Sequence, residues 1–256
     1  MKVVLLAGGL GTRLSEETST RPKPMVEIGG KPILWHVMKT YSKHGFDDFV
    51  ILLGYKGYLI KEFFFNYFLH NNDVSIDLQN NKISYLGTKS EPWKVTLVDS
   101  GINTMTGSRI MKAKKFLKHE RFFLTYGDGV SNLNMKEQLK FHIFNGGLVT
   151  MTSVQPDGRF GAFESDSEFK VKKFVEKPAG DGSWINGGYF ICEPDIFNYI
   201  DEGENVTLEK EPLANLAKDG KLFTYKHSGF WKCMDTLRDK RELDLLAKEK
   251  TIPWLN

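Results

Sequence analysis

Two cysteines, Cys192 and Cys233, are all that the 256 residues contain. So few, set so far apart, exclude a disulfide framework and a cysteine-rich zinc site, and they suit a reducing compartment. Net charge is also scarce: 35 Lys and Arg face 32 Asp and Glu, a formal surplus of +3. That balance excludes a polybasic nucleic-acid binder but permits a few cations gathered around a small polyanion. No apolar run nears the roughly 18 residues of a spanning helix. The opening MKVVLLAGGL has a short apolar part that runs into Gly11-Thr12-Arg13 without a small-residue cleavage site. It reads as a buried strand and its loop rather than a secretion signal. The expected place is the cytoplasm, with neither a membrane nor a nucleic acid as partner. Repeats, low-complexity blocks and Pro/Gly/Ser linkers are missing too, which points to one domain rather than two separable ones.

What is present supports a packed core: 41% of residues are hydrophobic, with 19 Phe, 9 Tyr and 5 Trp. Short apolar runs alternate with amphipathic stretches over the first two thirds, the pattern of βα units on a mainly parallel sheet. Strands are expected at 3–6, 48–53, 95–98, 122–126 and 148–154, with a hairpin over 74–78 and 82–86. Helices are expected from Pro32 to Tyr41, at 58–69, at 105–117 and at 134–145. The stretch YLIKEFFFNYFL at 58–69 is apolar almost all round and must be covered on more than one side. The simpler expectation is a deeply packed helix; the other is a helix that also meets another subunit. Beyond 160 the pattern turns antiparallel, with strands near 161–164, 169–176 and 184–192, then two helices around a last strand at 222–226.

Chemistry gathers first at GGLGTRL, residues 8–14, directly after the first strand. A glycine-rich turn there brings backbone N–H groups together without side-chain obstruction, which suits phosphate oxygens, and Arg13 adds a fork of donors. The same turn fits a purely structural role. It is not a Rossmann fingerprint, because Leu14 stands where the third glycine belongs, and no Walker loop follows. Ten residues on, Pro22-Lys23-Pro24 stiffens the backbone that presents one ammonium. Gly127-Asp128-Gly129 reads equally as a turn, Asp235 as a cap for a helix near Leu237, and Glu176-Lys177-Pro178 as an exposed strand end. The six histidines show no metal-ligand spacing and read as packing or surface residues.

Taken together, GGLGTRL, PKPM and GGKPI resemble the nucleotidyltransferases that make NDP-sugars. Further matches are Gly54-Tyr55, Thr106-Gly107-Ser108-Arg109, Gly127-Asp128, Glu176-Lys177-Pro178, Asn186-Gly187-Gly188 and Met234-Asp235-Thr236. Within that family GYKGYLIKEFF, EPWKVTLVDSG, TYGDGV and GFWKCMDTLRDK are most similar to the branch that makes CDP-glucose from CTP and glucose 1-phosphate, a precursor for surface polysaccharide. The resemblance implies a Rossmann-like three-layer α/β/α mixed sheet, glycosyltransferase-A-like, with a small antiparallel C-terminal elaboration. It implies a nucleotide-binding part over about 1–150 and a sugar-phosphate part over about 151–256.

By the same resemblance, the backbone of Leu6, Ala7, Gly8, Gly9, Leu10, Gly11 and Thr12 shapes the nucleotide pocket, and Arg13 and Lys23 face the phosphates. Thr104, Gly107 and Arg109 read the base, next to Gly127. Asp128 and Asp235 hold Mg2+. Lys177 meets the sugar phosphate, Glu176 and Asn186 with Gly187 and Gly188 meet the sugar, and Arg159 lies near the phosphate or steadies a loop. Homo-oligomers are expected. Ser108 departs from the family pattern, where a second glycine is common. Another nucleotide or phosphorylated partner, or a catalytically silent relative, remain the alternative readings.

Overall fold

The computed structural model describes residues 1–87, 90–117, 119–156, 158, 162–165, 167–168, 170–175, 183–203, 205–249 and 251–255. The chain opens with β1 (Lys2–Ala7), α1 (Ser15–Thr18), the two-residue strands β2 (Glu27–Ile28) and β3 (Lys31–Pro32), α2 (Ile33–Ser42) and β4 (Asp48–Leu53). Next come α3 (Gly57–Phe65), α4 (Tyr67–Asn71), the hairpin of β5 (Val74–Asp77) with β6 (Lys82–Tyr85), and β7 (Lys94–Asp99). After them lie α5 (Thr106–Lys112), α6 (Lys114–Leu117), β8 (Phe122–Tyr126), β9 (Gly129–Ser131), α7 (Met135–Asn145) and β10 (Val149–Val154). The remainder holds the antiparallel pair β11 (Ala162–Ser165) and β12 (Val171–Val175), then β13 (Ile185–Cys192) and α8 (Glu211–Lys218). It finishes with β14 (Leu222–His227), β15 (Trp231–Cys233) and α9 (Leu237–Leu246).

A seven-stranded sheet in the order β14-β10-β13-β8-β1-β4-β7 organises these elements. β1 lies inside it, parallel to β4 on one side and β8 on the other, so its alternate side chains enter two different cores. Val3 and Leu5 pack with α2, Phe123 and Trp254; Val4 and Leu6 pack with Ile110, Leu124, Phe197 and Leu216. Each such burial is worth roughly 1.5–3 kcal/mol, and the sequence accordingly confines charge in β1 to Lys2 at its start. Because β1 leads to β4 on one side while β8 lies on the other, a crevice opens beyond the carboxyl ends of β1 and β8. Open α/β sheets bind ligands at this switch point.

The C-terminal part is built into this sheet rather than appended to it. β13 runs antiparallel to both its neighbours, β8 and β10, and β14 pairs parallel to β10. The elaboration expected from the sequence is therefore a reversed strand within the main sheet, with β11 and β12 as a separate pair.

The expected helix at 58–69 requires a larger correction. It breaks at Asn66 into α3 and α4, and only Gly57 and Ile60 of α3 are buried. Phe65 is 89% exposed, and Phe68, Leu78 and Tyr85 are exposed as well. The aromatic run thus borders an apolar surface and is not deeply packed. The expected helix at 105–117 likewise divides at Ala113. Among the described residues no helix is long and apolar enough to cross a membrane.

The histidines divide between packing and surface: His70 and His119 are exposed, and the other four are buried or partly buried. His36 Nε2 meets the Ile28 carbonyl at 2.9 Å, and its Nδ1 accepts from the Trp254 indole at 3.1 Å. His142 lies between Thr150 and Glu193. Burial lowers the pKa of His36, His44, His142 and His227 below the ordinary value of 6.5. A depressed folded-state pKa contributes stability that is present above the unfolded value and is lost as pH falls through the folded one. The thermal midpoint should therefore be lower near pH 5.5 than near pH 7.5. Calorimetry showing an equal or higher midpoint at the acidic pH would contradict this packing.

Candidate active site

Two short elements bring distant carboxylates together. β9 pairs antiparallel with β15, with Gly129 in register with Cys233, and the Met234 N–H donates to the Asp128 carbonyl at 2.8 Å. Asp128 and Asp235 consequently emerge side by side at the end of this ribbon. α9 does not use Asp235 as its cap: Thr236 and Asp239 form a reciprocal capping box, leaving the Asp235 carboxylate free to face the crevice.

Lys23 bridges the pair. It sits in a 3-10 turn over Lys23–Met25, is only 8% exposed, and places Nζ 2.6 Å from both Asp128 Oδ2 and Asp235 Oδ1. The exposed Arg13 donates to Asp235 Oδ2 at 2.7 Å. Burial opposes the charge on Lys23, but Asp128 and then Asp235 more than offset it, so its pKa is raised. Burial likewise opposes ionisation of Asp235, yet Lys23 and then Arg13 hold its carboxyl below the ordinary value. Both shifts favour the charged forms of Lys23 and Asp235 at neutral pH.

Above this cluster lies the glycine loop. The N–H groups of Gly9, Leu10 and Gly11 have no acceptor among the described residues, so they are available to an anion. A Cβ at Gly8 would lie 2.2 Å from Arg109 Nη1, so any larger residue there would displace the guanidinium. The Arg109 guanidinium supports the loop from beneath. Its Nη2 donates to the carbonyls of Gly8 and Ile102 at 3.0 Å, and its Nη1 donates to Ser100 Oγ at 2.8 Å and to the carbonyls of Gly101 at 2.6 Å and Leu53 at 3.2 Å. Burial lowers its pKa from the usual arginine value. Arg109 was expected to read the base; its terminal nitrogens are spent on the chain itself, and its part is to fix the loop.

A cavity of about 420 Å³ joins these groups. Leu6, Ala7, Gly8, Gly9, Gly11, Thr12, Arg13, Lys23, Thr104, Arg109, Gly127 and Asp128 line it. Leu10 is exposed beside the cavity instead, and Gly107 is buried against Val206 and Leu208. Asn186, Gly187 and Gly188 stand one step behind the lining. Asn186 Nδ2 donates to the Tyr126 hydroxyl at 3.3 Å, and the Trp231 indole donates to the Gly187 carbonyl at 2.7 Å. Phe230 stacks on Trp254 in the core. Glu176, Lys177 and Arg159 lie outside the described residues.

Sequence reasoning missed Tyr126 and Thr207, which line the cavity beside Met105 and Thr106 of the expected 104–109 loop. Tyr126 was read only as the end of a strand, and nothing in the sequence marks Thr207. Ser108, the departure from the family pattern, accepts from the Val206 N–H at 3.0 Å and donates its own N–H to the Val206 carbonyl at 3.1 Å. Its hydroxyl thus ties α5 to the segment that carries Thr207.

A crevice at a sheet switch point, with free loop amides, two cations and two converging carboxylates, is equipped to hold and polarise phosphates. A family model described as nucleotidyl transferase matches residues 2–236. The chain belongs to the nucleotidyl transferase family. A glucose-1-phosphate cytidylyltransferase of Salmonella typhi is 52% identical to this nucleotidyl transferase, over 99% of the chain and 98% of its own. Solved structures support the fold. A UDP-glucose pyrophosphorylase complexed with UDP-glucose superposes with a TM-score of 0.69 at 18% identity, covering 98% of this chain and 99% of its own. HddC from Yersinia pseudotuberculosis gives 0.69 at 24%, covering 95% and 98%.

Proposed function

We propose that this chain transfers the cytidylyl group of CTP to glucose 1-phosphate, forming CDP-glucose and releasing pyrophosphate. The observation that carries nucleotidyl transfer is the convergence of Lys23, Arg13, Asp128 and Asp235 beneath the glycine loop. Near-complete coverage by a 52% identical glucose-1-phosphate cytidylyltransferase favours CTP and glucose 1-phosphate over other pairs.

In this reading a phosphate oxygen of the sugar phosphate forms a bond to the α-phosphorus of CTP, while the bond from that phosphorus to the bridging oxygen breaks. The electron pair leaves with pyrophosphate. The protein supplies no nucleophile; its work is to align two anions and offset charge as it develops. The loop amides and Arg13 hold the triphosphate, and Lys23 turns from the carboxylates toward the phosphates. Backbone groups of Leu6 to Gly9 and of Thr104 to Thr106 face the base. Lys177, with Arg159 near it, meets the sugar phosphate, and Glu176 with Asn186 to Gly188 meets the sugar hydroxyls.

Asp128 and Asp235 are the residues suited to Mg2+. Both carboxylates converge on one cationic atom, Lys23 Nζ, so together they would hold a divalent cation. Their hard carboxylate oxygens would suit Mg2+, which also takes phosphate oxygens and water. When bound, the ion supplies charge neutralisation at the phosphates.

Nucleotide-binding and sugar-phosphate parts belong to a single catalytic unit, since both contribute strands to the main sheet. The unpaired thiols of Cys192 and Cys233 suit the cytoplasm. The apolar surface beside α3 and α4 favours a homo-oligomer, for which light scattering should give a mass above that of one chain.

Pyrophosphate release measured across four nucleoside triphosphates and several sugar 1-phosphates tests the assignment. CTP with glucose 1-phosphate should give the highest kcat/KM. A higher value for another pair would replace it, and no release from any pair would favour a silent scaffold.

A further inference from the structure

Glu209 lies on the segment between β13 and α8, outside the motifs of the glycine loop and the paired carboxylates. Its two oxygens are nevertheless each taken by a hydroxyl from a different wall of the cavity. Oε1 accepts from the Tyr126 hydroxyl, and Oε2 accepts from Thr106 Oγ1 at 2.6 Å. Thr106 Oγ1 in turn accepts from the Leu208 N–H at 2.9 Å, at the start of α5. On the other side the Tyr126 hydroxyl accepts from Asn186 Nδ2 at 3.3 Å, and Asn186 Oδ1 accepts from the Gly188 N–H at 2.8 Å. From both ends, every hydroxyl proton in this chain of bonds points toward the one carboxylate. Two converging donors fix an otherwise exposed side chain far better than water does.

The Tyr126 ring has little other freedom. Gly188 has φ +77, and a Cβ there would lie 2.4 Å from Tyr126 Cδ2, so the ring lies directly against the bare backbone of β13. We propose that Glu209 is a positioning residue for the acceptor substrate: by holding the Tyr126 hydroxyl, it sets the orientation in which Asn186 meets the sugar phosphate. This rests on the proposed function, because it takes the Asn186 side of the cavity as the place of glucose 1-phosphate.

The two ends of the relay differ in how they are otherwise held. α5 keeps its ties to the 206–208 segment through Ser108 and Val206 whether or not Glu209 is present. Among the described residues the Tyr126 hydroxyl has only Glu209 and Asn186 as partners, and beyond it the Asn186 side chain keeps a single bond, from the Gly188 N–H to its Oδ1. Loss of Glu209 should therefore act on the sugar phosphate far more than on the nucleotide.

Steady-state pyrophosphate release with each substrate varied in turn, on the wild type and on Glu209→Ala, Glu209→Gln and Tyr126→Phe, tests this. Glu209→Ala should raise KM for glucose 1-phosphate about tenfold, or about 1.4 kcal/mol, with KM for CTP changed less than about twofold. Tyr126→Phe, which removes one oxygen and keeps the ring, should reproduce the split. The double variant should be no worse than either single one, because both break one path. Glu209→Gln, which can still meet both hydroxyls, should restore most of the affinity.

Equal rises in both KM values, additive effects, or an unchanged KM for glucose 1-phosphate in Glu209→Ala and Tyr126→Phe would overturn the proposal. A wild type that turns over no glucose 1-phosphate, while another sugar phosphate reacts, would overturn the functional reading. The same split in KM measured on that other sugar phosphate would still support Glu209 as its positioning residue.

Discussion

Asp128→Ala and Asp235→Ala should each lower turnover by about a thousandfold or more while leaving the melting temperature within a few degrees of the wild type. The reaction joins two anions, so removing either carboxylate that positions the neutralising charge falls directly on the transition state. The fold has little at stake in either side chain. β9 and β15 meet through backbone bonds, including the Asp128 carbonyl, and α9 is capped by Thr236 with Asp239. Lys23 contacts both carboxylates, so each single variant leaves its buried ammonium one partner. Activity within tenfold of the wild type in either variant would remove that residue from the site, and a collapse in melting temperature would make its role structural.

Arg109→Met should destabilise the protein by about 3 kcal/mol, from charged hydrogen bonds worth roughly 1.5–3 kcal/mol each, less what the carbonyls recover. For a chain of this size that is a fall of about 6–12 °C in melting temperature. The guanidinium is 4% exposed and ties Gly8, the loop after β7 and the end of β4 to one group. Some acceptors keep other partners: the Leu53 carbonyl retains Ser100, and that of Gly8 retains Tyr55. The Gly101 and Ile102 carbonyls lose the arginine outright. Because Gly8 rests on the guanidinium, KM for the nucleotide should rise with the loss of stability. Arg109→Lys should not rescue either effect, since one ammonium cannot reproduce a planar fork. Thermal melts and nucleotide titrations on both variants check this, and a melting temperature within about 1 °C of the wild type would contradict it.

Local chemistry made much of this legible in advance. A buried run ending in glycines placed β1 and its loop, and the stiff Pro22-Lys23-Pro24 singled out the ammonium that the fold brings to the centre. Pairings between distant short segments were not legible. β9 and β15 are three residues each, too brief to show a period, yet they decide where Asp128 and Asp235 meet. Glu209 and Thr207 sit in a loop whose meaning comes only from docking on α5. At 58–69 the sequence pattern misled for a physical reason: aromatic residues all round a helix normally imply cover on several sides, but here part of that surface faces outward. Composition records how apolar a segment is, not what lies against it.

The β9–β15 ribbon also sets a timetable for synthesis. Asp128 leaves the ribosome more than a hundred residues before its partner, and β13 must enter beside β8 before the sheet that carries the glycine loop is continuous. A nascent chain that ends before Trp231 has half of its acidic pair and an unpaired β9. The two carboxylates of the proposed site therefore come together only late in synthesis.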